Sequence, residues 1–451
     1  MYGHMIQLTN LLFRKADSKD NRPSPFWRRF CKEERKRGIC MTVLYMDWPG
    51  YGSEYIKKTF EKMGFKVVVF DFPQNSNGIN LGTELAEKIV KAIVESKADF
   101  VFSLNYFPVI ATAVQACHIK YLSWIYDNPA VLTYSMTVFF EGNHIFHFDS
   151  SEVEKLRNAG VANVYYLPLS ADTGRYDAVE LTDDDRAKYG ADVAMIGSMY
   201  TEDKFRIFRK YEKFDDYIKG YLDALVKAQE SLYGADILEP GLEQYPDDGS
   251  GEKVIDRILK SVPLSEHGDS FSTPQWVFAN YYLAMRVTAN ERRHVMEAVA
   301  DAVDGPVALY TRDASFKLGK VINRGNIDYY EEFPKAVKAA KVNLNISLKS
   351  IHTGIPLRVI DIMACGGFVL SNYQADLFSE FVPDEDFVYY ENVKDAAGKA
   401  AYYASHDEER IRIAANGYRK VREEHNFIKK LTLMTYAAGL TEYSNRGENL
   451  V

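Results

Sequence analysis

From Met41 onward the chain alternates short apolar runs with longer stretches that are apolar along one side only. MTVLYMDW, KVVVFDFP, DFVFSL and KYLSWIYDNP are rich in β-branched and aromatic residues and are bounded by Gly, Pro, Asn or Asp, which predicts strands. The stretches between them, EYIKKTFEKMG and residues about 81–97, place apolar positions at helical spacing. HIFHFDS, a helix over 151–159 and NVYYLPLSAD carry the rhythm to Asp172. Strands alternating with helices predict a parallel sheet covered on both faces.

A second series follows LTDDDRAKYG (181–190), which reads as a charged linker. DVAMIGS (192–198) is a buried strand, whereas residues 202–300 are mostly helical with a Pro/Gly/Asp-rich break at 240–251. They read as a helical insertion. VALYT (307–311), NIDYYEEFPKAVKAAK (326–341), VNLNIS and FVYYEN then resume the βα rhythm. The most informative stretch is Asn343–Ser371: a strand, a polar loop with Lys349, His352 and Gly354, a helix from about Pro356, then Gly366-Gly367 and another strand. Proline suits a first helical turn and glycine a helix end. A helix N-terminus fed by a polar loop favours anions, and Arg358 and Asp361, three apart, share one face.

The predicted organisation is an N-terminal extension (1–40), a first Rossmann-like unit (41–175), a second (190–425) holding the insertion, and a terminal segment (426–451). Composition adds limits to this picture. The chain has 451 residues, 47% hydrophobic and 26% charged, as expected of a water-soluble chain with two or three cores. A net charge of −8 argues against nucleic acid as the main partner. Cys31, Cys40, Cys117 and Cys365 show neither CxxC pairing nor zinc spacing, and no apolar run suggests a signal peptide or membrane span. A cytoplasmic protein is expected. The basic stretch Trp27–Gly38 reads as a solvated helix.

The order VAMIGSMY, GNIDYYEEFPKAVKAAKVNLNIS, GIPLRVIDIMACGGFVLSNYQADLFSEFVPDEDFVYYEN and IAANGYRKVREEHNFIKKL resembles the C-terminal half of GT-B glycosyltransferases. The nearest flavour is the subgroup typified by the spore maturation protein CgeB. KYLSWIYDNP and DSSEVEKLRNAGVANVYYLPLSAD resemble the N-terminal domain found there. The resemblance implies an α/β GT-B fold, two Rossmann-like doubly wound domains facing a cleft. It implies a donor, a nucleoside diphosphate-sugar, on the second domain and a glycan, polysaccharide or protein acceptor on the first. It also implies a metal-independent mechanism without cofactor, and a terminal helix (426–440) crossing back to the first domain. The family's paired carboxylates fall on Thr353, which is none, and on Asp361, in the ribose-binding position.

Lys349 and Arg358 are then candidates to stabilise the leaving diphosphate, with Gly354 and Ile355 bringing backbone close to it. Gly197 and Ser198, at a strand end, with Tyr329, Asn345 and Ser347, are further donor-side candidates. Gly50, Tyr51, Gly52 and Asn105 should line the cleft from the first domain, and Asp127 is the carboxylate chosen to activate an acceptor hydroxyl if the reaction inverts the anomeric centre. Tyr329 and Tyr330 are candidates to stack on or flank the base, with core packing the alternative for at least one; His144, His147 and His352 are reserves, the first two read as structural. Asp183–Asp185 mimics a metal-binding D-x-D but lies in the linker, and Pro383–Asp386 reads as surface. A nucleotide-sugar epimerase or hydrolase and a non-catalytic assembly protein are the alternatives. The insertion is a candidate for acceptor recognition or for contacts in a homo-oligomer.

Overall fold

The computed structural model describes residues 41–48, 50–73, 83–201, 211–247, 249–262 and 269–441. The predicted extension 1–40, with its basic stretch, and the end of the terminal segment lie outside the described residues. The first unit runs β1 (Thr42–Asp47), α1 (Ser53–Lys62), β2 (Lys66–Asp71), α2 (Thr83–Ser96), β3 (Phe100–Leu104), α3 (Pro108–Cys117), β4 (Lys120–Ile125), β5 (Asn143–His147), α4 (Ser150–Asn158) and β6 (Val164–Tyr166). The strands form one parallel sheet in the order β2-β1-β3-β4-β5-β6. β3 and β5 are buried at every position, as strands covered on both faces must be, while edge strand β2 is only partly covered.

Two short helices, α5 (Thr173–Asp177) and α6 (Asp183–Tyr189), lead to the second unit. The expected linker is therefore helical. Thr182 and Asp185 form a reciprocal capping box, and Asp185 is buried and paired with Lys335 at 3.0 Å, so its carboxylate is a structural end-cap. β7 (Ala191–Ile196) is followed by α7 (Asp216–Glu230), α8 (Leu238–Leu242), α9 (Val254–Ser261), α10 (Pro274–Val277), a π-helical turn (Phe278–Leu283) and α11 (Ala284–Ala302). Then come β8 (Val307–Tyr310), β9 (Ile322–Asn323), α12 (Phe333–Ala339), β10 (Ala340–Asn345), α13 (Leu357–Ala364), β11 (Val369–Asn372), α14 (Ala375–Glu380), β12 (Val388–Tyr390), α15 (Val393–Ser405), α16 (Asp407–Glu424) and α17 (Phe427–Ala437). This second sheet is also parallel, ordered β12-β11-β10-β7-β8-β9.

The range 202–300 is not all insertion. Val295, Met296 and Val299 of α11 pack in the sheet's own core with Ala396, Ala400 and Tyr403 of α15. The inserted helices before it bury a separate core around Leu222, Leu242, Ile258 and Phe278. That insertion docks on the first unit: Phe271 N–H donates to Tyr134 O at 2.8 Å, and the Tyr134 and Trp276 rings lie 4.3 Å apart. α17 returns to the first unit too. Its Phe427, Leu431 and Met434 share a core with Val43, Tyr45 and Trp124. No helix of the described residues is long and apolar enough to cross a membrane.

Candidate functional site

In each sheet the chain direction switches sides once, between β1 and β3 and between β7 and β10. Doubly wound sheets bind ligands in the crevice at the carboxyl ends of such strands. At the second switch point Gly197 and Ser198 follow β7, and Asn345 to Ser347 end β10. Arg292 of α11 joins the two, its guanidinium donating to Ile346 O at 2.7 Å and to Ser198 O. A Cβ on Gly197 would stand 3.3 Å from that guanidinium, so the glycine admits the arginine. Asn345 is buried and donates to Ser347 Oγ (3.1 Å) and Ser371 Oγ (2.9 Å), while Ser347 N–H donates to Asn372. These two polar residues therefore brace the strand ends. Lys349 lies 3.4 Å from Glu291, which is fully buried, and 4.0 Å above the Tyr233 ring. Its ammonium, expected to face a diphosphate, is already matched by a carboxylate.

α13 begins at Leu357 with Pro356 as an extended N-cap, and the N–H groups of Leu357 and Arg358 have no backbone acceptor among the described residues. The Arg358 guanidinium sits 4.6 Å over the Phe333 ring. Asp361 is 2% exposed and accepts from the hydroxyls of Tyr176 (2.9 Å) and Tyr329 (3.0 Å). Burial pushes its carboxyl up to about 6, against the pull of Arg358 and these hydroxyls. Tyr329 also meets Tyr51 of the first unit at 4.1 Å between centroids. Arg175 donates to the carbonyls of Tyr329 and Tyr330 and lies 4.7 Å over the rings of Tyr176 and Tyr330. Tyr329 is thus committed to Asp361 and Tyr51 in this structure. Ile355 is fully buried in the α13 core, so only its backbone can face a ligand.

The loop before α13 does something the spacing did not suggest. A Cβ on Gly354 would come within 2.9 Å of Asp149 Cα and Phe148, so the close approach that glycine permits is to the first unit. Asp149, fully buried, accepts from His352 N–H (2.8 Å), Thr353 Oγ1 (2.7 Å) and Ser151 N–H (3.0 Å). Thr353, where the resemblance implies a carboxylate, also lies 2.9 Å from Ser150 Oγ. Asp376 accepts from Ser150 N–H at 2.9 Å. Burial would raise Asp149, but His352, His147 and its hydroxyl and amide donors outweigh it and hold the carboxyl below its ordinary range. Asp376 goes the other way: burial and the Asp149 charge push it up to about 7 against the Ser150 bonds.

A carboxyl raised from 3.8 to about 7 binds its proton more tightly in the folded chain. Its stabilising contribution is complete below about pH 4 and is lost as pH climbs through 7, on the order of 4 kcal/mol in all. Asp376→Asn, which keeps the shape without the charge, should therefore raise the melting temperature at pH 8 relative to wild type and leave it unchanged near pH 4. Equal gains at both pH values would refute this.

At the first switch point, Gly50 and Gly52 shape the β1–α1 loop. Gly52 has φ +88°, which a side chain disfavours, and a Cβ on Gly50 would meet Leu104 at 2.7 Å. Asn105, also left-handed at φ 58°, follows β3. Its Oδ1 accepts from the N–H of Tyr126 (2.8 Å) and Asp127 (3.1 Å), and its Nδ2 donates to Asp127 Oδ2 at 2.7 Å. Asp127 is exposed yet surrounded by protein, as at the floor of an open cleft. That enclosure raises its carboxyl above the usual range, with Asn105 opposing. His144 and His147 are buried in β5; burial lowers His144 to about 4, and His147 Nδ1 accepts from Asp149 N–H.

Residues 286–434 match the family model described as glycosyl transferase-like. Sucrose-phosphate synthase from Thermosynechococcus elongatus shares the fold, with TM-score 0.51 at 11% identity over 89% of this chain and 99% of that one. A glycosyltransferase from Rickettsia africae ESF-5 gives 0.49 at 13% identity, over 89% and 100%. Anabaena HepE in complex with UDP-glucose gives 0.48 at 11%, over 89% and 100%. No curated protein matches the chain. The two parallel sheets with their covering helices form a GT-B-like fold. The matched stretch contains Glu291, Arg292, Lys349, Arg358, Asp361 and Asp376. Asp127, Asp149 and Arg175 come from outside it. Arg292, Glu291, Asp149, Asp376 and Arg175 were not anticipated from the sequence; only the register of α11 against the β7 and β10 ends could have flagged the first two.

Proposed function

We propose that the protein transfers a sugar from a nucleoside diphosphate-sugar to a hydroxyl of a glycan, polysaccharide or protein, in the cytoplasm and by the chemistry of the CgeB-like subgroup. The observation that carries this reading is the glycosyl transferase-like match lying on a GT-B fold whose second switch point gathers Arg292, Lys349 and the α13 N-terminus. The diphosphate would lie against that N-terminus and Arg358, whose fixed positive charge offsets the charge that develops as the glycosidic oxygen leaves. The acceptor oxygen bonds to the anomeric carbon as the carbon–phosphate-oxygen bond breaks, and Asp127 takes the acceptor proton. Asp361 reaches a ribose only if the ribose replaces Tyr329; otherwise it acts by holding that ring.

A panel of UDP-, GDP-, dTDP- and CMP-sugars read by thermal shift, followed by hydrolysis of the best binder, tests this. One nucleotide class should raise the melting temperature, and Arg358→Ala combined with Asp361→Ala should abolish the rise and slow hydrolysis at least about 10-fold. No stabilisation by any nucleotide, with an inert double variant, would sink the reading.

A further inference from the structure

The turn Phe278–Leu283 that joins the insertion to α11 is π-helical. Such turns are rare and frequent at functional sites. Adjacent residues of this one reach opposite walls of the cleft. Asn280, 3% exposed, holds His352 Nε2 at 3.0 Å on the loop before α13, and its amide nitrogen donates to Trp276 O. Tyr281 donates its hydroxyl to Pro129 O at 3.1 Å, two residues beyond Asp127. The Tyr134–Trp276 contact anchors the same segment to the first unit.

We propose that this π turn fixes the separation of the Asp127 and His352 loops, with Tyr281 as a positioning residue for Asp127; the proposal rests on the glycosyltransferase reading above. Asp127 faces Asn105 from the end of β3 and Tyr281 from the insertion, and no cation pairs with it among the described residues. Burial and the Asp127 charge push the Tyr281 phenol up to about 12, so it stays a neutral donor across the working range. Its ring also helps enclose Asp127. A base displaced by about 1 Å can lose on the order of 10²-fold in rate.

The test is hydrolysis of UDP-glucose and GDP-mannose by the full chain from pH 4 to 9. Tyr281→Phe should lower kcat about 10-fold, with KM for the nucleotide sugar and the acid limb unchanged. Tyr281→Ala should in addition move the acid limb to lower pH, because the already exposed Asp127 carboxylate is then better hydrated. Wild-type rates in Tyr281→Phe, or an unmoved limb in a folded Tyr281→Ala, overturn the proposal. The Phe variant removes a single hydroxyl and keeps the test decisive if the Ala variant does not fold. Where the wild type turns over neither sugar, the same profiles are run on the best binder of the UDP-, GDP-, dTDP- and CMP-sugar panel, and turnover of none of them overturns the underlying reading and this one with it.

Discussion

Asp127→Asn is expected to slow sugar transfer by about 10²–10⁴-fold while leaving the thermal shift by donor intact. The amide matches the carboxylate in shape and still accepts the Asn105 Nδ2 hydrogen bond, but it cannot take a proton. In the proposed arrangement the donor sits on the opposite wall, at Arg358 and the α13 N-terminus, so the loss should fall on kcat. Asp127 suits the task because two influences are balanced there. Enclosure at the cleft floor raises its carboxyl, and the 2.7 Å bond from Asn105 holds the charged form in place. Below the folded pKa the wild type should lose rate as the base is protonated, and the Asn variant should show no such limb. A variant within 10-fold of wild type would remove Asp127 from the mechanism.

The sheets were legible because their signal is local. FVFSL is apolar except for Ser103 and HIFHF except for its two histidines, the near-continuous run that a strand covered on both faces leaves. The helix after Pro356 was legible for the same reason: proline, an amphipathic turn and a double glycine all lie within the twelve residues 356–367. β9, two residues long, carries no periodicity to read. The boundary of the insertion escaped because α11 has apolar residues facing two cores at once. Ala284 and Val287 serve the inserted helices, and Val295 and Met296 serve the sheet.

The positions of the candidate residues along the fold were legible, but their partners were not. Lys349 and Asp361 stand where the pattern puts them, yet what each touches comes from far along the chain. Glu291 is 58 residues before Lys349, and Tyr176 is 185 before Asp361. Gly354 shows the same limit more sharply. Its lack of a side chain signals close approach, and the sequence cannot say to what; the fold answers with Asp149. Thr353 follows from this contact. A carboxylate there would face Asp149 and Asp376 at hydrogen-bond range, and three buried carboxylates cannot all ionise.

Asp149→Ala should then be the most damaging single change to stability, on the order of 3–5 kcal/mol, read as a fall in the melting temperature or denaturant midpoint. The carboxylate gathers the N–H of His352, the hydroxyl of Thr353 and the N–H and hydroxyl of Ser151. Truncation leaves these donors buried without an acceptor, and each orphan costs about 1–3 kcal/mol. Asp149→Asn should recover only part of the loss, since one of its two atoms is itself a donor aimed at donors. The sign with pH separates this residue from Asp376. Asp149 is held below its ordinary range, so its contribution is present above about pH 4 and is lost as pH falls through the lowered value. The penalty in Asp149→Ala should therefore be greatest near neutrality and shrink in acid. Because the same donors sit on the loop that enters α13, nucleotide binding should weaken with the fold. An alanine variant as stable as wild type at pH 7 would mean that the two units do not meet through this carboxylate.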